Sequence, residues 1–350
     1  MEKVLVAISG GVDSSTCLIL LKNRGYSPYA VTMKLIGENT NLTGVDTSSP
    51  VRDAMKAAEI IGVPFEAVDF TGDFEDRVIS PFAESYAAGL TPNPCLLCNK
   101  YLKFGKLFEK ADSLGIKYVA TGHYARVEEK DGKYYLRKAA DIKKDQSYVL
   151  CNLTRKHLER LMFPLGDLTK DEVRRIAKEN SLNTAEKAES QDICFIKEGN
   201  YASFVTEYLN LPPNSGRFLD REGKVIGTHD GMIHYTVGQR RGLGMGFGER
   251  LYVLSKNPID NTITLGYDGD LFADELILRD VNIISGEFPS SPFRAAVKIR
   301  YHHKEQPATV TPLGEGRLKV VFDTPQRAIT PGQWGVIYDG DYVIGGGVIC

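Results

Sequence analysis

Ser9-Gly10-Gly11-Val12-Asp13-Ser14-Ser15 gathers hydroxyls, glycines and one carboxylate into a single junction. The apolar run Val4–Ile8 before it reads as a buried parallel strand. The stripe Cys17, Leu18, Leu20 and Leu21 after it reads as a helix. A glycine turn between strand and helix leaves backbone N–H groups pointing outward, and the helix dipole favours negative charge there. The hydroxyls of Ser9, Ser14 and Ser15 add donors around the same nest. That is chemistry for a phosphate. A plain strand-to-helix turn also needs glycine, but it does not need the whole pattern. The second reactive group is Cys95-Leu96-Leu97-Cys98, preceded by Thr91-Pro92-Asn93-Pro94. Two prolines fix that loop, so both thiols are held in a defined geometry. Cys-x-x-Cys is also half of a zinc knuckle, but no second such pair completes one. Cys194, in the run Ile193-Cys194-Phe195-Ile196, belongs by its surroundings alone to the core.

The elements that must position these residues alternate. Strands are expected at Tyr29–Leu35, Phe65–Phe70 and Tyr118–Ala120, and helices at Arg52–Ile61, Phe74–Ala88 and Leu102–Leu114. Gly37–Pro50 is polar and reads as a mobile loop. This order argues an α/β domain, a parallel sheet with helices on both faces, whose ligands sit at the carboxyl ends of the strands. Ser9, Met33 and Gly122 fall there. Asp131-Gly132 signals a hairpin, and helices are expected at Arg155–Met162 and Lys170–Asn180. Leu211-Pro212-Pro213-Asn214-Ser215-Gly216 looks like a boundary, and from about Leu276 short alternating runs suit a small β-barrel. The expected domains are therefore 1–208, 209–275 and 276–350.

The chain has 350 residues, too many for one typical domain. No apolar run reaches membrane-spanning length, and no signal peptide precedes the first strand, so a membrane location is not expected. Six unevenly placed cysteines suit a reduced compartment, with the cytoplasm as default. A net charge of −2 gives no global nucleic-acid signal, so such binding must be local. Lys100, Lys103, Lys106 and Lys110 form one basic cluster, and Lys298, Arg300, His302, His303 and Lys304 another. Each alone reads as a solvated face.

The first junction resembles the pyrophosphate loop of ATP pyrophosphatases, Ser-Gly-Gly-x-Asp-Ser. No Walker Gly-Lys-Ser/Thr and no Gly-x-Gly-x-x-Gly fingerprint occurs there. Five further motifs follow in order: Asn93-Pro94 with Cys98-Asn99, Thr121-Gly122-His123-Tyr124, Lys144-Asp145-Gln146-Ser147-Tyr148, Asp192–Ile196 and Tyr235–Gly244. Thr330-Pro331-Gly332-Gln333 comes last. Together they resemble the bacterial tRNA-specific 2-thiouridylases over essentially the whole chain. The resemblance implies an adenine nucleotide alpha-hydrolase-like fold. It also implies replacement of the wobble uridine C2 oxygen by sulfur in tRNAs for Lys, Glu and Gln, driven by ATP with Mg²⁺. Ala7, Ile8, Ser9, Gly10, Gly11, Val12, Asp13, Ser14, Met33 and Gly122 match ATP positions, with Asp13 on Mg²⁺ and Met33 against adenine. Asn93, Pro94 and Cys95 match positions at the target base. His123, Lys144, Asp145, Gln146, Arg300, Tyr301 and Gln333 match tRNA contacts, which gives the second basic cluster a use. The base must leave the anticodon stack to react.

By the same resemblance Cys194 carries a persulfide and Cys98 resolves it through a disulfide, both with depressed thiol pKa values. One position departs. Many relatives carry Asp where this chain has Cys95, which removes a carboxylate and adds a third thiol. Two routes stay open: a persulfide with Cys95 as a bystander or resolving thiol, or a 4Fe–4S cluster on Cys95, Cys98 and Cys194. Cys17, Cys151 and Cys350 match nothing chemical. A cysteine desulfurase or a sulfur relay protein is the expected donor, and a monomer the expected state. The competing readings are an amide-forming ligase with the same loop and a sensor that holds ATP without chemistry.

Overall fold

The structure is a computed structural model describing residues 1–37, 48–182, 193–196, 200–244, 248 and 250–350. Most of the expected Gly37–Pro50 loop, and the Glu189–Asp192 part of the Cys194 motif, lie outside the described residues.

The first sheet is parallel, in the order β3-β2-β1-β4-β7, from β1 (Lys3–Ala7), β2 (Ser27–Lys34), β3 (Phe65–Asp69), β4 (Tyr118–Thr121) and β7 (Leu161–Met162). Alternation along β1 explains why both faces are covered. Val4 and Val6 join Cys17, Leu18 and Leu21 of α1 (Val12–Asn23) in one buried cluster. Leu5, between them, joins Phe104, Leu107 and Phe108 of α4 (94–113) in another. α2 (Ser48–Ile61) and α6 (Lys170–Glu179) accompany α1, adding Ala54, Ala58 and Val173 to its cluster. The expected α/β architecture is present.

α3 (71–87) and α4 are each α-helical at both ends and π-helical between, at Glu75–Ile79 and Cys98–Lys106. Such widened turns are rare and often mark functional sites. The helix expected at Arg155–Met162 is shorter. α5 (Arg155–Leu158) stops, and Leu161–Met162 pairs with Val119–Ala120 as a sheet edge. The sheet's demand for an edge strand overrides the local helical pattern there.

The hairpin β5 (Ala125–Lys130) and β6 (Lys133–Lys138) turns at Asp131 and Gly132, both with positive φ, as its sequence dictates. It joins a sheet made mostly by the other end of the chain. β12 (Phe272–Ile283), β13 (Phe293–Lys298), β14 (Gln306–Gly314), β15 (Arg317–Arg327), β16 (Trp334–Asp339) and β17 (Tyr342–Ile349) run in the order β12-β15-β14-β13-β16-β17. A β12–β17 pairing closes the barrel, and Tyr342 of β17 pairs with Arg137 of β6. Trp334, Val336 and Tyr338 share one buried cluster with Leu5, Leu96 and Phe104, so barrel and parallel sheet are packed through a common core. α7 (Tyr201–Tyr208) leads to a small sheet in the order β10-β11-β8-β9, from β8 (Gly216–Leu219), β9 (Val225–His229), β10 (Tyr252–Asn257) and β11 (Thr262–Gly266). Among the described residues, no helix is long and apolar enough to cross a membrane.

Candidate active site

β1 delivers Ile8, whose N–H still bonds Val31 O, and the chain then turns at Gly10 with φ +75°. A Cβ on Gly10 would sit 2.6 Å from Pro50 O and 2.9 Å from the Asp53 Cβ, so only glycine fits between this turn and α2. Ser9 N–H donates to Ser14 Oγ at 3.0 Å, the two hydroxyl oxygens lie 3.2 Å apart, and Ser14 Oγ donates to Gly11 O at 3.2 Å. Gly11 caps α1 without a side chain, so the first N–H groups of the helix have no side-chain acceptor. Ser15 Oγ is buried and finds no partner among the described residues. Gly122, at the end of β4, closes the nest from the other side; a Cβ there would lie 2.9 Å from Ser14 N and Cα. The expected phosphate residues Ala7–Ser14 and Gly122 are thus in one place, at strand carboxyl ends, with Met33 near the end of β2.

Asp13 meets a partner that the sequence reasoning missed. Lys170 Nζ donates to both of its carboxylate oxygens at 2.7 and 2.8 Å, and Tyr124 Oη donates to Oδ1 at 2.8 Å. Thr169 and Glu172 form a capping box that fixes Lys170 in the first turn of α6. That Thr-x-x-Glu signal is visible in the sequence and marks where the helix begins, not what its lysine meets. The lysine side chain is 8% exposed and Asp13 29%. Lys170→Met is expected to lower stability by about 2 kcal/mol, because a half-buried carboxylate is left unpaired. Combining it with Asp13→Asn should recover part of that loss, and a denaturant double-mutant cycle measures the coupling.

The cysteine loop is built with equal care. Asn93 caps α4 by accepting from Cys95 N at 3.1 Å, with Pro94 as the first helical residue. Asn99 Nδ2 donates to Val149 O at 2.8 Å and ties the helix to the 147–150 turn. From the barrel, Gln333 Nε2 donates to Thr91 O at 2.7 Å, and Thr91 N donates to Pro331 O at 3.0 Å. Cys194 is exposed although it lies in an apolar run. Its neighbour Phe195 takes the buried place instead, against the rings of Phe74, Phe82 and Phe204 at 5.3–5.6 Å. Cys95, Cys98 and Cys194 stand within electrostatic reach of one another, and Lys103 is the cation they share.

One expectation is corrected here. The half-buried Cys98 thiol is not depressed in pKa: burial pushes it up to about 11, against a weaker downward pull from Lys103. Among the described residues no group of three or more His, Cys, Asp or Glu side chains is placed to hold a metal ion.

Several residues matched to RNA contacts use their polar atoms inside the fold. Asp145 accepts from Ala139 N, Ser147 N and Ser147 Oγ, and Gln146 exchanges two hydrogen bonds with the Tyr124 backbone. His123 is buried between Phe104 and Phe163, with Thr121 Oγ1 at 2.7 Å from Nδ1 and Lys103 Nζ at 3.4 Å from Nε2. Burial and Lys103 hold it neutral. Tyr301 Oη donates to Asp145 O, and Lys298 lies over the rings of Tyr148 and Tyr301. Arg300 Nη1 donates to Arg327 O at 3.4 Å. Lys144 lies in the same 141–147 loop, which Asp145 and Gln146 shape. Tyr301 thus ties the barrel to this loop, and Gln146 ties the loop to Tyr124, whose hydroxyl bonds Asp13.

A parallel sheet with a serine–glycine anion nest at its strand ends, and a thiol group beside it, defines a HUP-type enzyme of the ATP-pyrophosphatase-loop class. Three family descriptions match the chain: a tRNA methyl transferase HUP domain at 2–198, a tRNA methyl transferase PRC-barrel domain at 202–267 and an aminomethyltransferase beta-barrel domain at 273–349. The tRNA-specific 2-thiouridylase MnmA of Clostridioides difficile (strain 630) is 47% identical over 99% of this chain and 98% of its own. That of Clostridium acetobutylicum is 44% identical over 99% of each chain, and that of Acetivibrio thermocellus 43% over 99% of each. A solved 4-thiouridine synthetase bound to RNA and ATP is 17% identical, covering 55% of this chain and 45% of its own, with a TM-score of 0.38. The chain belongs to the tRNA-specific 2-thiouridylase family.

Proposed function

We propose that this chain is an ATP-dependent tRNA-uridine 2-sulfurtransferase acting on the wobble uridine of tRNAs for Lys, Glu and Gln. One observation supports the reading: Cys98 and Cys194, far apart in sequence, interact with each other and with Lys103, whose Nζ lies 3.4 Å from Nε2 of His123, the residue after Gly122 of the nest. The nest of Ala7–Ser14 and Gly122 holds the phosphates of ATP, with adenine against Met33. Mg²⁺ enters with ATP, because such ions keep most of their ligands from water and phosphate. Asp13, already paired with Lys170, is the carboxylate next to it. Asn93 and Pro94 face the uracil, and the surface formed by Lys144, Arg300 and Tyr301 faces the RNA.

The uracil O2 attacks the α-phosphorus and pyrophosphate leaves, which turns the oxygen into a leaving group. The outer sulfur of a persulfide on Cys194 then attacks C2, and AMP departs with the oxygen. The Cys98 thiolate attacks Cys194 Sγ, the S–S bond breaks, and the sulfur stays on C2. Cys98 and Cys194 are left as a disulfide, which a thiol reductant returns to two thiols before a desulfurase or relay protein reloads Cys194. No step is routed through iron. A monomer in the cytoplasm suits this work.

The test is pyrophosphate release that depends on tRNA, together with retardation of the product tRNA on a mercury-containing gel. Both are expected. Release without tRNA but with an amine acceptor would favour an amide-forming ligase, and no release would favour a sensor. Four iron and four acid-labile sulfides per chain after anaerobic purification, about what a cubane requires, would restore the cluster route.

A further inference from the structure

Lys103 lies on the π-helical part of α4 that begins at Cys98. Its Nζ sits 3.4 Å from His123 Nε2, and His123 Nδ1 sits 2.7 Å from Thr121 Oγ1. An ammonium only donates, so Nε2 accepts, Nδ1 carries the proton, and Thr121 receives it. Phe104 and Phe163 wall the imidazole in at ring distances of 5.9 and 6.0 Å. Thr121 and His123 flank Gly122, which touches the first turn of α1. The lysine is thereby fixed to the nucleotide half of the site, on the same π-helical segment as Cys98. Cys98 itself packs against the cluster holding Phe195 and Ile196, next to Cys194. The lysine charge acts on the thiols of Cys95, Cys98 and Cys194.

We propose that Lys103, seated on neutral His123, is a positioning residue whose ammonium is the shared counter-ion for the Cys98 thiolate and for the sulfur that leaves Cys194. This rests on the sulfur-transfer reading above. Attack by Cys98 requires its thiolate, and breaking the Cys194 bond leaves negative charge at the transferred sulfur; both are anions in a crowded pocket. A cation held at one place stabilises each in turn without moving. The pairing also gives His123 a role distinct from touching RNA.

Among the described residues, the ionisable groups facing Lys103 are His123 after β4, Cys95 and Cys98 on α4, and Cys194 beside Phe195. The experiment is peptide-resolved alkylation of the resting protein by iodoacetamide, with rates followed between about pH 7 and 8.5 where lysine stays charged, for the native chain, Lys103→Met and Lys103→Arg. In Lys103→Met the alkylation rates of Cys98 and Cys194 at a given pH fall about tenfold, the effect on the thiolate fraction of removing a nearby opposite charge. Lys103→Arg keeps the native profile. Thiolation by Lys103→Met falls about tenfold in step with its thiolate, while tRNA-dependent pyrophosphate release persists and reports an intact nest. A native alkylation profile in Lys103→Met overturns the proposal. So does an equal shift in Lys103→Arg, which would make shape rather than charge the cause. Alkylation needs no tRNA, so absent thiolation by the native protein would defeat the sulfur-transfer reading and leave this comparison standing.

Discussion

Cys194→Ser is expected to lose tRNA thiolation to background yet still release a burst of pyrophosphate with tRNA. A serine hydroxyl cannot carry a sulfane sulfur, while the nest of Ser9–Ser14 does not touch residue 194 and should adenylate once per bound tRNA. Cys98→Ser should also stall, but differently, since resolution by a nearby thiol can be replaced by one from solution. Added dithiothreitol should therefore restore part of the activity of Cys98→Ser and none of that of Cys194→Ser. Cys95→Ala should stay active. If Cys95→Ala is as dead as Cys194→Ser, two thiols do not suffice and the persulfide route falls. The raised thiol of Cys98 adds a pH signature. With a pKa of about 11, its thiolate fraction grows about tenfold per pH unit through the neutral range, so single-turnover sulfur transfer should accelerate with pH there.

The nest was legible in the sequence because its chemistry is local. Gly10 and Gly11 between a buried strand and a helix leave little choice of conformation, and the serines Ser9, Ser14 and Ser15 lie close together in sequence. The hairpin at Asp131-Gly132 was legible for the same reason, but its destination was not. Pairing with β17 joins residues about 200 apart, and no local pattern encodes that. Cys194 shows the limit most clearly. Periodicity puts Ile193-Cys194-Phe195-Ile196 in the core, and a turn closed by Ile196 N to Ile193 O buries Phe195 and Ile196 while turning the thiol out. Its role came from family likeness; its accessibility came from three-dimensional packing. Lys170 and Lys103 were visible only as charges. Their partners, Asp13 and His123, are set by helices meeting strand ends, which depends on tertiary contacts.

Gly332→Ala should then reveal what the barrel contributes. Gly332 has φ +90°, and a Cβ there would lie 2.8 Å from Thr91 N and 2.9 Å from the Leu90 Cβ. The added methyl must push against the backbone that leads into Asn93, Pro94 and Cys95, and the left-handed conformation disfavours alanine as well. Together these cost about 2–4 kcal/mol, visible as a lower denaturant midpoint. The larger effect is on chemistry. Thr91 N to Pro331 O and Gln333 Nε2 to Thr91 O are the bonds holding the loop, and both lie beside residue 332. A shift of about 1 Å in a positioned group can cost on the order of 100-fold in rate. Thiolation should therefore fall far more than nucleotide affinity, since the nest is held by α2 and β4 rather than by the barrel. If Gly332→Ala lowers ATP affinity and thiolation together, the barrel acts on the whole domain. Loss of thiolation with ATP affinity intact would place its contribution at the thiol that Cys98 presents.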